Sequence, residues 1–191
     1  YDSYASRKGK GTHKALLRFD SFMRKISKNG QLIQGSFDDN QVIGYAFKAD
    51  IKKYFDTVDH KILLQIIKRK IQDDNVIWLI KRILNNFEME TEGKGMPLGN
   101  LTSQLFANVY MNEFDQFIKH KLKANYYIRY ADDFVIMSRD RGWLQRQVPR
   151  IKTVLCDLLS LHLHPAKISV ATLASGVDFL GWVHFPDHRV L

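Results

Sequence analysis

Apolar residues recur along this chain at two spacings, and the switches between them mark out its elements. Leu16, Phe19, Met23 and Ile26 fall three and four apart, as on one helical face, between Thr12 as a cap and Asn29-Gly30 as a stop. From Gly44 to Asp50 the segment GYAFKAD alternates, which predicts a strand ending at Asp50. Helical spacing returns in Ile62, Leu63, Ile66 and Ile67 behind Asp59, and again from Val76 to Leu84 behind Asp73 or Asp74. Gly93 to Asn100, GKGMPLGN, is a loop by composition. A helix capped by Thr102 or Ser103 follows it, carrying Leu105, Phe106, Val109, Tyr110, Phe117 and Leu122. The stretches YYIRY and FVIM flank Asp132-Asp133 and predict a tight hairpin with the two acids in its turn. Leu144, Val148, Ile151, Leu155 and Leu158 have helical spacing, with Pro149 expected to kink that helix or mark its start. Short strands over Ile168 to Ala171 and Val177 to Phe185, the latter broken by Gly181, close the chain. The sum is an α+β domain, a sheet covered by helices on one face.

Composition narrows the class. With 191 residues, 45% hydrophobic and 12% aromatic, the chain can bury a real core and is not a disordered segment. No apolar run has the length of a membrane span and no signal peptide opens the chain, so the expected location is cytoplasmic, with no membrane partner. The single cysteine, Cys156, lies in an apolar helical stretch and is expected to be a buried thiol. Lys and Arg exceed Asp and Glu by 29 to 20, a net charge of +9, which suits a polyanionic partner. The start at Tyr1 suggests a fragment, with sequence missing upstream. The seven histidines show no metal-binding spacing, and no Ser-His-Asp or Cys-His arrangement is apparent.

Three acids carry the candidate chemistry. Asp50 ends one predicted strand, and Asp132 and Asp133 stand between two others. If those strands are neighbours, three carboxylates meet at one sheet edge, where each raises the pKa of the others unless a cation neutralises them. Oxygen-only ligands with open positions suit Mg²⁺, and two such ions about 3.5–4 Å apart can activate a 3′-hydroxyl and stabilise a leaving pyrophosphate. The alternative is that Asp132-Asp133 is only a turn, for which Asp is a common residue.

The setting favours chemistry. Tyr130-Ala131-Asp132-Asp133 resembles the YxDD box of reverse transcriptases, and FKADIKKYFDTVDH, from Phe47 to His60, resembles their first aspartate motif. The resemblance runs from about Tyr1 to Phe185 in the family's motif order. It implies a polymerase palm of ferredoxin-like α+β type over residues 44–191, with partial fingers over 1–43 and the thumb absent. It further implies two Mg²⁺ ions, with Mn²⁺ as a substitute, held by Asp50, Asp132 and the backbone carbonyl of Ile51. Asp133 is essential in the family but binds metal less directly. The implied partners are an RNA template, a DNA or RNA primer, deoxynucleoside triphosphates and an accessory protein.

Other residues take roles from the same resemblance, each beside a plainer reading. Phe55 matches the steric gate that crowds a ribose 2′-hydroxyl, or is a core aromatic. In SRKGKGTH, Ser6 to His13, Arg7 and Lys10 match basic positions that clamp a triphosphate, or belong to a solvated loop. Lys167, in Leu163-His164-Pro165-Ala166-Lys167, matches a lysine near the triphosphate, or is a surface residue. Phe179, Leu180, Gly181 and Trp182 match the primer grip, or cover the core. In Pro97-Leu98-Gly99-Asn100-Leu101-Thr102-Ser103-Gln104, most of the family has Gln at the position of Leu98 and Pro at that of Gln104. With Gly99 between them, this loop is similar to that of diversity-generating retroelements, which copy unfaithfully opposite adenine. An aliphatic Leu98 cannot supply the hydrogen bonds of a Gln amide to the nucleotide. The origin expected is bacterial or archaeal. A defence- or retron-associated reverse transcriptase and a non-catalytic RNA-binding relic of the palm remain the alternatives.

Overall fold

A computed structural model describes residues 2–33, 42–86, 91–97 and 99–191. Helix α1, Thr12–Ser27, buries Ala15, Leu16, Phe19, Phe22, Met23 and Ile26, the expected face. Its cap differs from expectation: Gly11 holds the N-cap position, and the Thr12 hydroxyl instead shares a 3.0 Å hydrogen bond with the Tyr130 hydroxyl. Strand β1, Tyr45–Ala49, leads into a single turn, α2, Tyr54–Thr57. Helices α3, His60–Lys68, and α4, Asp74–Asn85, start as predicted. Asp59 accepts from the Lys61 and Ile62 amides, and Asp73 from those of Asn75 and Val76, satisfying donors a helix start leaves free. Helix α5, Leu101–Gln116, has Asn100 at its N-cap, so Thr102 and Ser103 lie inside the first turn rather than before it.

After α5 a wider π turn, Phe117–Lys121, leads to the hairpin of β2, Tyr126–Tyr130, and β3, Asp133–Ser138. Helix α6, Arg141–Leu159, continues across Pro149, which neither starts nor ends it. Pro149 and Gln145, four residues back, are both exposed, so the carbonyl deprived of its donor is open to water. Cys156 is exposed too, against expectation, because the buried stripe of α6 runs through Leu144, Ile151, Leu155 and Leu159 and leaves Cys156 on the outer side. Strand β4, Ser169–Thr172, is followed by β5, Val177–Phe179, β6, Trp182–His184, and an unforeseen β7, Arg189–Val190.

The main sheet has the order β2-β3-β1-β4, and every neighbouring pair is antiparallel. Strand periodicity sends Phe47, Ala49, Tyr127, Phe134 and Ile136 to one face, where they pack with residues of α3, α4, α5 and α6. The opposite face was not expected to be covered, yet Ala46, Ile128, Val135 and Met137 are buried there under α1, Leu173 and β5. The reason lies in β3, whose run Phe134–Met137 is apolar at every position and is buried on both faces. Phe134 anchors that strand in an aromatic cluster, with ring centroids 5.9 Å from Phe47, 4.9 Å from Phe114 and 6.4 Å from Tyr127. Removing so large a buried ring costs about 3–5 kcal/mol, here right beside Asp133. No helix among the described residues is long and apolar enough to cross a membrane.

Candidate active site

The sheet register brings the acids together. The last β1–β3 pair is Ala49 with Phe134, so Asp50 and Asp133 flank it at the same end. The β2–β3 hairpin closes with Tyr130 opposite Asp133, which places Ala131 and Asp132 alone in the turn. Asp133 is therefore the first residue of β3 rather than a turn residue. Ala131 holds φ at 54°, a left-handed conformation that costs a residue with a Cβ about 1–2 kcal/mol.

Burial and mutual repulsion act on both turn acids. Desolvation raises the pKa of Asp132, and the charge of Asp50 adds to it. Asp133 is pushed up to about 6, first by desolvation and then by Asp50, Asp132 and Asp178, against the lowering effect of Lys48. Two lysines reach into the cluster. Lys167 Nζ lies 2.7 Å from Asp50 Oδ2, and Lys48 Nζ lies 3.8 Å from Asp133 Oδ2 and 3.1 Å from Asp178 Oδ2. A backbone bridge delivers Lys167: the Lys52 amide donates to the His162 carbonyl, and the His164 amide to that of Asp50. That bridge does not use the Ile51 carbonyl, which belongs to a residue whose side chain is buried in the core.

The donor set suits a hard divalent cation, since it is all oxygen and self-repelling. Asp133 Oδ1 is buried and has no hydrogen-bond partner among the described residues. No three His, Cys, Asp or Glu side chains among those residues already surround a common ion position. In this arrangement the ammonium groups of Lys167 and Lys48 carry the neutralising charge.

A groove of about 530 Å³ runs from Asp50 and Asp133 past Lys48 and Lys167 to Asp178 and the β5–β6 turn. That turn is Leu180-Gly181, with φ of 56° and 80°, the positive pair of a tight type I′ hairpin. Gly181 adopts this freely, whereas Leu180 does so under strain. Phe179 is fully buried and stacks on Phe19 at 4.7 Å, so of the four expected primer-contacting residues its ring serves the core. Trp182 is half-buried, with the Arg189 guanidinium over its ring at 5.1 Å.

The remaining candidates are more scattered. Phe55 is half-buried, packs edge-on to Tyr54 at 5.3 Å, and accepts at its carbonyl from the Met96 amide. Arg7 is exposed and donates to the Ser3 carbonyl, while Lys10 lies over the Tyr4 ring at 4.4 Å. Gly99 is exposed in its loop, and the Gln104 carbonyl accepts from Asn108, which also binds the Ala5 carbonyl. Leu98 lies outside the described residues. Lys48 and Asp178 were missed from sequence. Lys48 was legible by parity, since a residue two before Asp50 on a strand points to the same side. Asp178 carried no such signal.

Known proteins resemble this chain in sequence and in fold. The profile of the family described as Reverse transcriptase (RNA-dependent DNA polymerase) matches residues 1–184. Protein YkfC of Escherichia coli (strain K12) is 25% identical over 174 residues, covering 72% of this chain and 46% of that protein. The group II intron-encoded protein LtrA of Lactococcus lactis subsp. cremoris is 36% identical over 205 residues, covering 71% of this chain and 34% of that protein. The chain thus spans less than half the length of both relatives. In fold it is similar to the apo telomerase from Candida Tropicalis truncated from its C-terminal domain. The TM-score is 0.67 at 15% identity, over 95% of this chain and 39% of that one.

Proposed function

Because the chain belongs to the reverse transcriptase family of RNA-dependent DNA polymerases, we propose that it carries the catalytic palm of an enzyme that copies RNA into DNA. The observation that carries this reading is the convergence of Asp50 and Asp133 at one sheet end, beside the turn that bears Asp132. Asp50, Asp132 and the Ile51 carbonyl would hold two divalent cations, with Asp133 supporting them. Bound there, Mg²⁺ or Mn²⁺ would lower the pKa of a primer 3′-hydroxyl and neutralise the leaving pyrophosphate.

The chain's own residues supply the rest. Lys167, which lines the groove and pairs with Asp50, would meet a triphosphate once it leaves that acid. Lys48 would keep charge balanced at Asp133 beside the cations that Asp50 and Asp132 would hold. Arg7 and Lys10 would hold phosphates, with Gly99 and Gln104 near the nascent base pair. Leu180, Gly181 and Trp182 would touch the primer strand. Phe55 would stand beneath the sugar and disfavour a ribonucleotide. RNA template, primer and deoxynucleoside triphosphates are then the partners, and the cytoplasm of a bacterium or archaeon the setting. Leu98 and Gln104 support the retroelement subtype, since Leu98 stands where most of the family has a Gln whose amide would hold the incoming base more firmly.

The test is primer extension on an RNA template by the full-length protein. Asp132→Asn should lower the rate at least about 10³-fold, because a lost charge-stabilising group of about 4 kcal/mol is about a thousandfold. Template binding should persist. Extension by Asp132→Asn at the wild-type rate would remove Asp132 from the chemistry, whereas template binding with no extension by the wild type would favour the RNA-binding relic.

A further inference from the structure

Beneath the turn that bears Asp132 lies a charged network that plays no part in the chemistry above. Arg129 is almost fully buried, at 1% exposure, on β2 two residues before Ala131. Its Nε and Nη2 donate to the two oxygens of Asp115 at 2.8 and 2.6 Å. Its third nitrogen, Nη1, donates to the carbonyl of Ala131 at 2.8 Å. Asp115, near the end of α5, is buried as well and also accepts from the Tyr127 hydroxyl at 2.6 Å. The backbone of Arg129 is pinned too: its amide donates to the Asp2 carbonyl, and its carbonyl accepts from the Tyr4 amide.

A buried ion pair is a poor means of gaining stability, since apolar residues of the same volume often serve as well. What apolar residues cannot do is hold a carbonyl in a chosen direction. Ala131 has a left-handed φ of 54°, which an alanine keeps only when its surroundings impose it. The Arg129 bond to its carbonyl is such an imposition, and it orients the peptide joining Ala131 to Asp132. The planar guanidinium makes this possible, because one edge engages Asp115 while the other end reaches Ala131. A lysine ammonium has no such fork.

We infer that Arg129 is a positioning residue for the acid cluster: anchored by Asp115, it locks the Ala131-Asp132 turn and so aims the Asp132 carboxylate at its cation. The inference rests on the polymerase reading above, in which Asp132 holds metal.

The test uses the full-length protein and Mn²⁺ as the probe. Binding is read by electron paramagnetic resonance, turn mobility by hydrogen exchange over residues 130–133, and extension as a function of Mg²⁺. Partners that orient metal ligands are typically worth 10–100-fold in metal affinity. A folded Arg129→Lys variant should therefore bind Mn²⁺ about tenfold more weakly, exchange faster in the turn and need more Mg²⁺ for extension, with rate recovered at saturation. Adding Ala131→Gly, which adopts the left-handed turn freely, should recover part of the affinity. Tyr127→Phe, which leaves the guanidinium fork intact, should bind Mn²⁺ as the wild type does. Should Arg129→Lys not fold, Asp115→Asn, which keeps the shape and removes the charge, is read in the same assays. Wild-type Mn²⁺ affinity and exchange in either folded variant would overturn the inference. If the wild type itself neither binds Mn²⁺ nor extends a primer, the polymerase reading fails, while the exchange arm still decides whether Arg129 locks the turn.

Discussion

The ammonium of Lys167 lies 2.7 Å from the carboxylate of Asp50, across 117 residues of sequence, at the position where the proposed cations would share that acid. The same hydrogen bond raises the pKa of Lys167, with the charge of Asp50 adding to it, so the lysine stays protonated and competes with any bound metal. Replacing it should therefore tighten cation binding while slowing synthesis. For Lys167→Ala, Mn²⁺ affinity should rise by less than about fivefold, because an exposed ion pair is worth little. The rate of extension at saturating metal should fall, since the triphosphate loses a charge partner. Calorimetric Mn²⁺ titration and single-turnover extension measure the two effects. Weaker Mn²⁺ binding would show that Lys167 supports the cation site instead of competing for it.

Asp133 makes stability depend on pH. Its pKa, about 6 in the fold against an ordinary value of 3.8, means that the folded chain binds this proton more tightly than the unfolded one. The resulting stabilisation is present below pH 4 and is lost as pH rises from about 4 to about 6. Above that window the ionised carboxylate costs on the order of 3 kcal/mol. Without divalent metal, Asp133→Asn should melt about 6–12 °C higher than wild type at pH 7.5, with the gap closing by pH 4. Thermal melts at both pH values check this. A variant that is less stable at pH 7.5 would mean that the Lys48 ion pair outweighs the burial of charge.

Phe55, proposed to stand beneath the sugar, lies outside the deep core. Phe55→Ala should raise ribonucleotide incorporation relative to deoxyribonucleotide by about 10–200-fold, the range for one small group in a pocket. The ring is only half-buried, so its removal should leave the chain folded. Competitive incorporation from mixed triphosphates measures the ratio. An unchanged ratio in a folded variant would assign Phe55 to packing against Tyr54 alone.

The outer face of α1 carries exposed Lys14, Arg24 and Lys25, with Lys28 at its C-cap, continuing from Arg7 and Lys8 in the preceding loop. Contacts from this face to phosphate release counterions, so affinity for a primer–template should fall with a log–log slope of about −0.9 per contact. Replacing Lys25 and Lys28 together with Gln should flatten that slope by about one to two units. Fluorescence anisotropy between about 50 and 200 mM salt is the measurement. An unaltered slope would move the nucleic acid to another face.

Much of this was legible in the residues themselves, because local physics decides it. Period-two and period-3.6 patterns place β1, β3, α1, α3 and α4, and Asp59 and Asp73 mark the starts of α3 and α4 through amides a helix cannot satisfy alone. The alternation that ends at Asp50 also puts Lys48 on the same side of the strand as Asp50. What those patterns cannot specify is which surface meets which. Only strand register sets Asp50 beside Asp133, and only the docking of the segment around His164 brings Lys167 to Asp50. The apolar run of β3 requires cover on both faces, but its identity as α1 depends on contacts far apart in sequence. Arg129 looks, in sequence, like a polar interruption of an apolar strand. Its meaning appears only when α5 supplies Asp115 and the turn supplies the Ala131 carbonyl, because a buried charge takes its role from the partners that tertiary structure brings within hydrogen-bond distance.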